Sequence, residues 1–289
     1  MRNSIKSELW KAVHNLFFYI SVFIGLSIAL INAAENTLIV RELTARTIEI
    51  KELGIGSGGH AGFSLFLLSL PYNGINFASR LYLLAWPLLA AMPYGWSYCG
   101  ERRSGLYNLI VSRISPSKYY IAKYIAVFVS GGIAVFLPAA FDILINAMIC
   151  PYEVMDVTHS IASIFNGWFL SKLYYISPWV HALIWCSVLF LLGGSTATLC
   201  FCVGAKLKLP ILVALIPFVI LVLWDMVISN VVMPFIPNSA PVVLLSPLHM
   251  VIATSAYPNP AWVVYSSICI LGILGFGIGY WQVLRNELV

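Results

Sequence analysis

Two aspartates inside long apolar stretches are the residues best suited to do chemistry in this chain. Asp142 and Asp225 each lie within a run of predominantly apolar residues, and Asn146 follows Asp142 by one helical turn. A carboxylate inside a membrane is costly unless it has a partner or a function. The two could line an aqueous exit path or contact a cationic or peptide substrate, or they could relay protons. The structural alternative is that each accepts hydrogen bonds between helices and serves packing.

A metal or hydrolytic site is the second kind of chemistry, because His181 and His249 could join the two aspartates. The sequence has no H-E-x-x-H, no G-x-S-x-G and no paired glutamates, so no spacing supports such a site. The six cysteines contain no C-x-x-C pair, which leaves neither a disulfide framework nor a zinc spacing. We therefore expect no metal and no cofactor in this chain.

The composition indicates which kind of structure must position these residues. Hydrophobic residues make up 61% of the 289 residues and charged residues only 9%, whereas a soluble domain carries about 25% charged residues. Such a chain cannot cover a water-facing surface, so we predict an integral membrane protein with a single domain over residues 1–289. Cytosolic basic residues explain the formal net charge of +5, and we expect no nucleic-acid partner.

Six helices are predicted to cross the membrane, because a crossing helix needs about 20 predominantly apolar residues. With both termini in the cytosol, eleven of the sixteen lysines and arginines lie in cytosolic segments, as the positive-inside rule requires. The prediction is an all-α, multi-pass protein of the plasma membrane with cytosolic N- and C-termini. The predicted spans are 16–34, 77–98, 125–149, 179–204, 209–232 and 261–284.

Residues 1–15 are predicted to form an amphipathic helix that lies on the inner membrane surface and leads into the first span. Apolar residues recur there at helical spacing, and the charged residues Lys6, Glu8 and Lys11 lie off the apolar face. The residues singled out for this interfacial helix are Ile5, Leu9, Trp10 and Lys11.

Two outer segments are not plain loops. In residues 35–76, Glu42 and Arg46 form an i,i+4 pair and Gly54 could end a short helix. Residues 233–260 are apolar but interrupted by six prolines. This pattern predicts a re-entrant outer segment before the last span, with short helices at 242–245 and 248–253.

Small residues form one face of the last predicted span. Gly272, Gly275 and Gly279 recur at helical spacing, and such faces allow helices to approach closely. We expect packing within the chain to use this face, in preference to a dimer seam.

A cytosolic segment at 99–124 concentrates basic residues in an ordered pattern. A glutamate follows the second span directly, and a small pair, an apolar stretch and a proline-containing turn come before the third span. In order, the pattern is Glu101, Ser104-Gly105, Leu109-Ile110, Arg113, Ser115-Pro116-Ser117 and Lys123.

This pattern resembles the permease subunits of ATP-binding-cassette transporters of the type-2 exporter class. In that family a glutamate after the second span is followed by a small pair with glycine, an apolar stretch, a Pro-Ser-type turn and a lysine that opens the third span. The layout is similar along the whole chain, with a leading amphipathic helix, six spans and a broken segment before the last one. The first outer segment is longer than in compact members of the family.

The resemblance implies that segment 99–124 docks on a separate ATPase subunit, which would bind ATP and Mg²⁺. This chain has no phosphate-binding loop of its own. The family's pathway lies between two permease subunits, so a second permease chain, identical or different, is also an expected partner. Contact with lipid phosphates is the alternative for Arg102 and Arg103. The residues expected to contact the ATPase are Glu101, Arg102, Arg103, Gly105, Leu106, Tyr107 and Arg113.

The leading prediction is therefore an exporter permease without enzymatic activity, for an amphipathic substrate such as a peptide, lipid or drug. A proton-coupled secondary transporter would use Asp142 and Asp225 as its proton sites, but the sequence lacks an evident inverted repeat. An intramembrane enzyme is a third possibility, weakened by the missing catalytic motifs.

Overall fold

The computed structural model describes residues 2–52, 65–74, 76–150, 164, 168–204, 207, 209–235, 246–253 and 260–285. Regular structure within these ranges is entirely helical, as the composition predicts. The α-helices are α1 (Arg2–Val13), α2 (Leu16–Glu52), α3 (Leu65–Leu68), α4 (Phe77–Ala91), α5 (Ser97–Arg103), α6 (Leu106–Val111), α7 (Pro116–Ile149), α8 (Ser171–Ile176), α9 (Pro178–Thr198), α10 (Cys200–Gly204), α11 (Pro210–Val227) and α12 (Ala261–Arg285). A π-helical turn at Ile228–Val232 and a 3₁₀ turn at Met233–Phe235 continue α11.

Within the described ranges, five helical stretches are long and apolar enough to cross a membrane. Their number makes the chain a multi-pass membrane protein. They are Leu16–Arg46, Pro116–Ile149, Pro178–Gly204, Pro210–Val232 and Ala261–Gln282.

The second predicted span is not one continuous helix. Helix α4 has 15 residues, about 22 Å of rise, and a turn at residues 92–96 separates it from α5. Pro93 cannot donate the backbone hydrogen bond that would continue the helix to the carbonyl of Leu89. The Ser21 hydroxyl donates to this freed carbonyl instead, at 2.7 Å. A side chain from the neighbouring helix α2 therefore satisfies the carbonyl that the break leaves free.

Helix α2 continues well past the predicted end of the first span at residue 34. Its 37 residues rise about 55 Å, almost twice the roughly 30 Å that the hydrocarbon core requires. The first part of the predicted outer segment is thus a continuation of the span, not a separate short helix. Arg46 pairs with Glu42 at 2.6 Å, as the i,i+4 spacing predicts, whereas Gly54 lies outside the described residues.

Helices α7 and α9 form the centre of the bundle, and glycines allow their close approach. A Cβ on Gly132 would lie 2.6 Å from the Phe190 carbonyl oxygen, and one on Gly194 would lie 2.7 Å from that of Phe128. Helix α12 packs against the same pair. A Cβ on Gly275 would collide with Thr198, which confirms that the small-residue face of the last span packs within the chain.

Residues 65–74 and 246–253 lie buried among the helices. The Ala253 amide donates to the Pro71 carbonyl at 2.7 Å and ties the two segments together. Trp86 of α4 donates to the Leu248 carbonyl at 3.3 Å, and Trp185 of α9 donates to the backbone of the same segment. The helix predicted at 248–253 is only a 3₁₀ turn at His249–Val251, and 242–245 lies outside the described residues.

Candidate functional site

A fully buried lysine near the start of α7 lies between two carboxylates. Lys123 Nζ is 3.1 Å from Glu8 Oε2 and 2.5 Å from Glu101 Oε1, and the lysine side chain is 0% exposed. Glu8 belongs to α1 and Glu101 to α5. One cation therefore joins three separate elements: the N-terminal helix, the segment after α4 and the longest central helix.

Two tyrosines complete this arrangement. The Tyr94 hydroxyl donates to Glu8 Oε2 at 2.8 Å, and the Tyr119 hydroxyl donates to Glu101 Oε2. Lys123 Nζ also lies 4.8 Å from the ring centroid of Tyr94 and 5.5 Å from that of Tyr119, within the range of cation–π attraction. We call Glu8, Tyr94, Glu101, Tyr119 and Lys123 the ionic cluster.

The charges at the ionic cluster balance. Lys11 pairs with Glu8 at 2.7 Å, so two lysines face two glutamates. Burial alone would raise the pKa of Glu8, but Lys123 and the bond from Lys11 together hold that pKa below its usual value. Burial would likewise lower the pKa of Lys11, yet the hydrogen bond to Glu8 raises it overall. The pairing therefore outweighs the cost of desolvation for both groups.

One residue of helix α1 departs from the predicted amphipathic pattern. Glu8, predicted off the apolar face, is buried together with Ala12, because its charge is neutralised by Lys123 and Lys11. Leu9 packs against the core, as predicted for the apolar face, and Ile5 is half-buried. Trp10 is 64% exposed. Helix α1 is thus docked on α7 through a polar contact as well as an apolar one.

A left-handed glycine connects α5 to α6. Gly105 has φ of 74°, a conformation that costs other residues about 1–2 kcal/mol. A Cβ at this position would meet no atom within 4 Å, so only the backbone conformation demands glycine here. Helix α6, which follows this turn, has no buried residue. Leu106 is 42% exposed and Leu109 is 66% exposed.

The seven predicted ATPase-contact residues divide into two groups. Glu101 is engaged within the ionic cluster, and Tyr107 packs its ring on those of Tyr98 and Tyr119 at 6.0 and 5.6 Å. Both side chains therefore make contacts within this chain. The second group is exposed and comprises Arg103, Gly105, Leu106 and Arg113. Arg102 is half-buried and intermediate in exposure.

A second polar cluster lies near the other end of α7. Asp142 is fully buried; its Oδ1 accepts from Asn32 Nδ2 at 2.9 Å and its Oδ2 accepts from the Leu70 amide at 2.7 Å. Asn146 Nδ2 bonds the Asp142 carbonyl at 2.9 Å. Within the described parts of the chain, no lysine, arginine or histidine forms an ion pair with Asp142.

Side-chain amides extend this cluster from α2 to the start of α4. Asn36 Nδ2 donates to Asn146 Oδ1 and to the Leu68 carbonyl, both at 2.8 Å. Asn76 Nδ2 in turn donates to Asn36 Oδ1 at 2.8 Å. We call Asn32, Asn36, Asn76, Asp142 and Asn146 the amide cluster. Its bonds hold residues 68–70 against α2 and α7, so they support the packing alternative for Asp142 and Asn146.

Asp225 belongs to a third, smaller group. Its Oδ1 accepts from the Ser246 hydroxyl at 2.7 Å and lies 3.1 Å from His249 Nε2. Serine and histidine both engage the carboxylate, so they do not form the serine-to-histidine-to-carboxylate relay of a hydrolase. The described residues also hold no group of three His, Cys, Asp or Glu side chains suited to a metal.

His181 is separate from both aspartates. It is fully buried, with Nδ1 2.8 Å from the Tyr72 hydroxyl and Nε2 3.0 Å from the Phe169 carbonyl. A carbonyl only accepts, so Nε2 carries the proton and the tyrosine donates to Nδ1. This histidine joins the buried segment at 65–74 to α9, and the structure brings it to neither aspartate.

Sequence reasoning missed several members of the two clusters. Asn32 and Asn36 are spaced i,i+4, and two amides on one face of an apolar stretch are a signal that could have revealed them. Glu8 and Lys123 lie far apart in the sequence, and no local pattern indicates that they meet.

No protein-family model matches the chain, and no curated protein matches it either. The resemblance to type-2 exporter permeases stays a prediction from the residues quoted above. The ionic cluster and the neighbouring α5–α6 segment are therefore the features from which a function is inferred.

Proposed function

We propose that this chain is the membrane-spanning permease subunit of an ATP-driven exporter, coupled to a separate ATPase subunit. The observation that carries the proposal is the ionic cluster, which joins α1, α5 and α7 through one buried lysine. A force applied to the α5–α6 segment would pass directly into α7, because Glu101 and Lys123 form a buried ion pair. Separating the two side chains would leave an uncompensated buried charge, which is costly.

The exposed side of α6 is the proposed docking surface for the ATPase. Leu106 and Leu109 expose apolar area, and Arg113 exposes a charge just after the helix ends. An exposed apolar patch beside a charged residue fits the apolar centre and polar rim of a protein interface. The ATPase would bind ATP and Mg²⁺ and pull or push on this surface as it hydrolyses ATP.

The proposal includes six membrane crossings with both termini in the cytosol of a plasma membrane. The crossing that is additional to the five long helices, second along the chain, would consist of α4 and the turn at residues 92–96. The turn would supply the length that α4 alone lacks. Residues 246–253 would belong to a re-entrant outer segment, supported by their burial between α4 and α9. Irregular backbone at membrane depth is tolerated where protein covers it.

The transported substrate would be amphipathic, and the pathway would lie between this chain and a second permease subunit. The secondary-transporter alternative receives no support from the two aspartates. Asp142 is enclosed by amide and backbone donors, whereas Asp225 bonds to Ser246 and His249, and the two carboxylates share no hydrogen-bond partner among the described residues.

Affinity purification of the full chain from its native membrane in a mild detergent tests this proposal. We expect an ATPase with a phosphate-binding loop to co-purify, and we expect the complex to hydrolyse ATP. A preparation that contains no ATPase, yet moves substrate when only a proton gradient is applied, would contradict the proposal and favour the secondary transporter.

A further inference from the structure

An ionised Asp142 would carry a buried negative charge that its surroundings do not compensate. The side chain is fully buried inside the spanning helix α7, and no described lysine, arginine or histidine forms an ion pair with it. Its carboxyl oxygens accept from Asn32 Nδ2 and from the Leu70 amide, whereas an ionised carboxylate offers about four lone pairs. A carboxylate so isolated from water is costly enough that such groups take up a proton instead.

The neighbouring elements contribute neutral or negative titratable groups. On α4, Tyr82 lies within electrostatic reach of Asp142 and donates its own proton to a backbone carbonyl at 2.7 Å. On α9, His181 is neutral, because Nδ1 accepts from the Tyr72 hydroxyl and Nε2 donates to a carbonyl. On α2, Glu35 adds only negative charge. The other titratable side chains on these elements and at the end of α7 are two buried thiols, of Cys150 and Cys186, and three exposed arginines, Arg41, Arg46 and Arg80.

The side-chain oxygen of Asn32 is a buried acceptor that lacks a donor. This Oδ1 atom is shielded from solvent and has no hydrogen-bond partner in the part of the chain that the structure describes. The amide cannot be turned round to correct this, because Nδ2 donates at 3.0 Å to the Leu68 carbonyl, which only accepts. A buried acceptor without a donor costs free energy. Asn32 thus lacks one hydrogen-bond donor beside a carboxyl group that lacks one positive charge.

A single proton on the Asp142 carboxyl group satisfies both deficits. It removes the negative charge and turns one carboxyl oxygen into an O–H donor. Asn32 already donates through Nδ2 to Asp142 Oδ1 at 2.9 Å, and its unused oxygen belongs to the same planar amide. A carboxylic acid and a primary amide pair through two such bonds side by side, N–H to C=O and O–H to O=C. The bond from the Leu70 amide is kept, because a protonated carboxyl group retains acceptor capacity.

We propose that Asp142 binds a proton at neutral pH and is a carboxylic acid whose O–H donates to Asn32 Oδ1. A metal cation would need several oxygen ligands around it, whereas a proton needs one acceptor at hydrogen-bond distance. The proton fastens α7 to α2 and to residues 68–70, and the Pro71 carbonyl that follows accepts from the Ala253 amide. The site therefore holds both buried segments in place, and it does not depend on the ATP-driven function.

Infrared spectroscopy of the full chain in detergent at neutral pH tests the proposal, because the C=O stretch of a carboxylic acid is separate from the bands of a carboxylate. We expect a carboxylic acid band in the wild-type chain, and Asp142→Asn should remove an intensity equal to one acid group per chain. Asp225→Asn is the matched control and should keep the whole band, because Asp225 is partly exposed and lies beside His249. Loss of carboxylate intensity in Asp142→Asn, with the acid band unchanged, would overturn the proposal.

A second pair of variants keeps the test informative if Asp142→Asn fails to fold. Asn32→Leu removes the amide and keeps the carboxyl group, so the acid band should move to higher frequency, as the C=O loses its N–H donor, without losing intensity. Asn36→Leu, one turn along α2, should leave the band in place, because Asn36 bonds Leu68 and Asn146 and makes no bond to Asp142. A band that moves in neither variant would overturn the proposal. A wild-type chain without the acid band, whose carboxylate band shifts when sodium replaces a large organic cation, would assign the site to an alkali cation and overturn the proton.

Discussion

The two buried polar clusters of α7 solve the problem of burying charge in opposite ways. Lys123 and Asp142 are nineteen residues apart, about 28 Å along the helix axis. The ionic cluster matches a buried lysine with two carboxylates. The amide cluster surrounds a single carboxylate with amide and backbone donors, and no described cation pairs with it.

This difference indicates different tasks. A charge-paired cluster resists separation of its members, because each would leave an uncompensated buried charge, and so it suits a joint that transmits force between elements. The amide cluster holds a backbone turn at residues 68–70 in place, and it suits a fixed anchor for a buried segment. Substitutions in the two clusters should therefore differ in how much they destabilise the protein and in how far from the substituted residue the structure is loosened.

The largest effect should follow from Lys123→Met. The change leaves Glu8 and Glu101 buried without their shared cation, which should lower the free energy of unfolding by about 3–5 kcal/mol. Thermal unfolding in detergent, monitored by size-exclusion chromatography, measures this loss of stability. Lys118→Met, at an exposed lysine of the same helix, is the matched control and should be nearly neutral.

A triple variant sharpens this result. Glu8→Gln and Glu101→Gln added to Lys123→Met remove all three charges, and neutral replacement of a buried ion network is often tolerated. We expect the triple variant to regain much of the lost stability. A triple variant as unstable as Lys123→Met alone would mean that packing, not charge pairing, accounts for the effect.

The second effect in size should follow from Asp142→Asn. The amide oxygen of the new side chain can accept only one of the two hydrogen bonds that the carboxylate oxygens accept, and the amide nitrogen cannot accept the other. The cost should therefore be about 1–3 kcal/mol. Hydrogen exchange should rise at Leu70 and its neighbours, while the region of the ionic cluster keeps its protection. Asp225→Asn is the control, because it should loosen residues 246–249 and leave Leu70 unchanged.

How much of this could be predicted from the sequence depends on distance along the chain. The helical class, the Glu42–Arg46 pair and the shared face of Asp142 and Asn146 depend on local spacing, and the structure contains all three. The partnership of Lys123 with Glu8 joins distant residues, so periodicity alone placed Glu8 on the wrong face. Hydropathy also could not show that α2 continues through residues 35–52, because helix formation does not stop where apolar residues end.

A smaller effect on stability tests the left-handed conformation of Gly105 between α5 and α6. Gly105→Ala places a Cβ on a left-handed backbone and should cost about 1–2 kcal/mol, although no atom lies near the new methyl group. Gly277→Ala is the matched control, because it also meets no atom within 4 Å but lies inside α12, where alanine is favoured. Equal melting temperatures for the two variants would contradict the strain assigned to Gly105.

The smallest effect is a pH dependence confined to the ionic cluster. The pKa of Glu8 is lower in the folded protein than its usual value of 4.5, so its pairing contributes fully above that value. The contribution is lost as the pH falls through the lowered pKa. Melting temperatures measured from pH 7 to pH 3 should therefore fall below about pH 4.5, and the fall should be shallower in Glu8→Gln. An unchanged slope in that variant would remove Glu8 from the explanation.

The central claim is that an ATPase drives this chain through the α5–α6 segment, and one binding measurement tests it most directly. The ATPase that is captured with the wild-type chain would be tagged and co-expressed with Leu109→Glu or with Lys118→Glu. Both variants add a carboxylate at an exposed position of the same end of the bundle. We predict that Leu109→Glu, folded by size-exclusion chromatography, retains at least about tenfold less ATPase, while Lys118→Glu retains the wild-type amount. Wild-type retention by Leu109→Glu would contradict the claim.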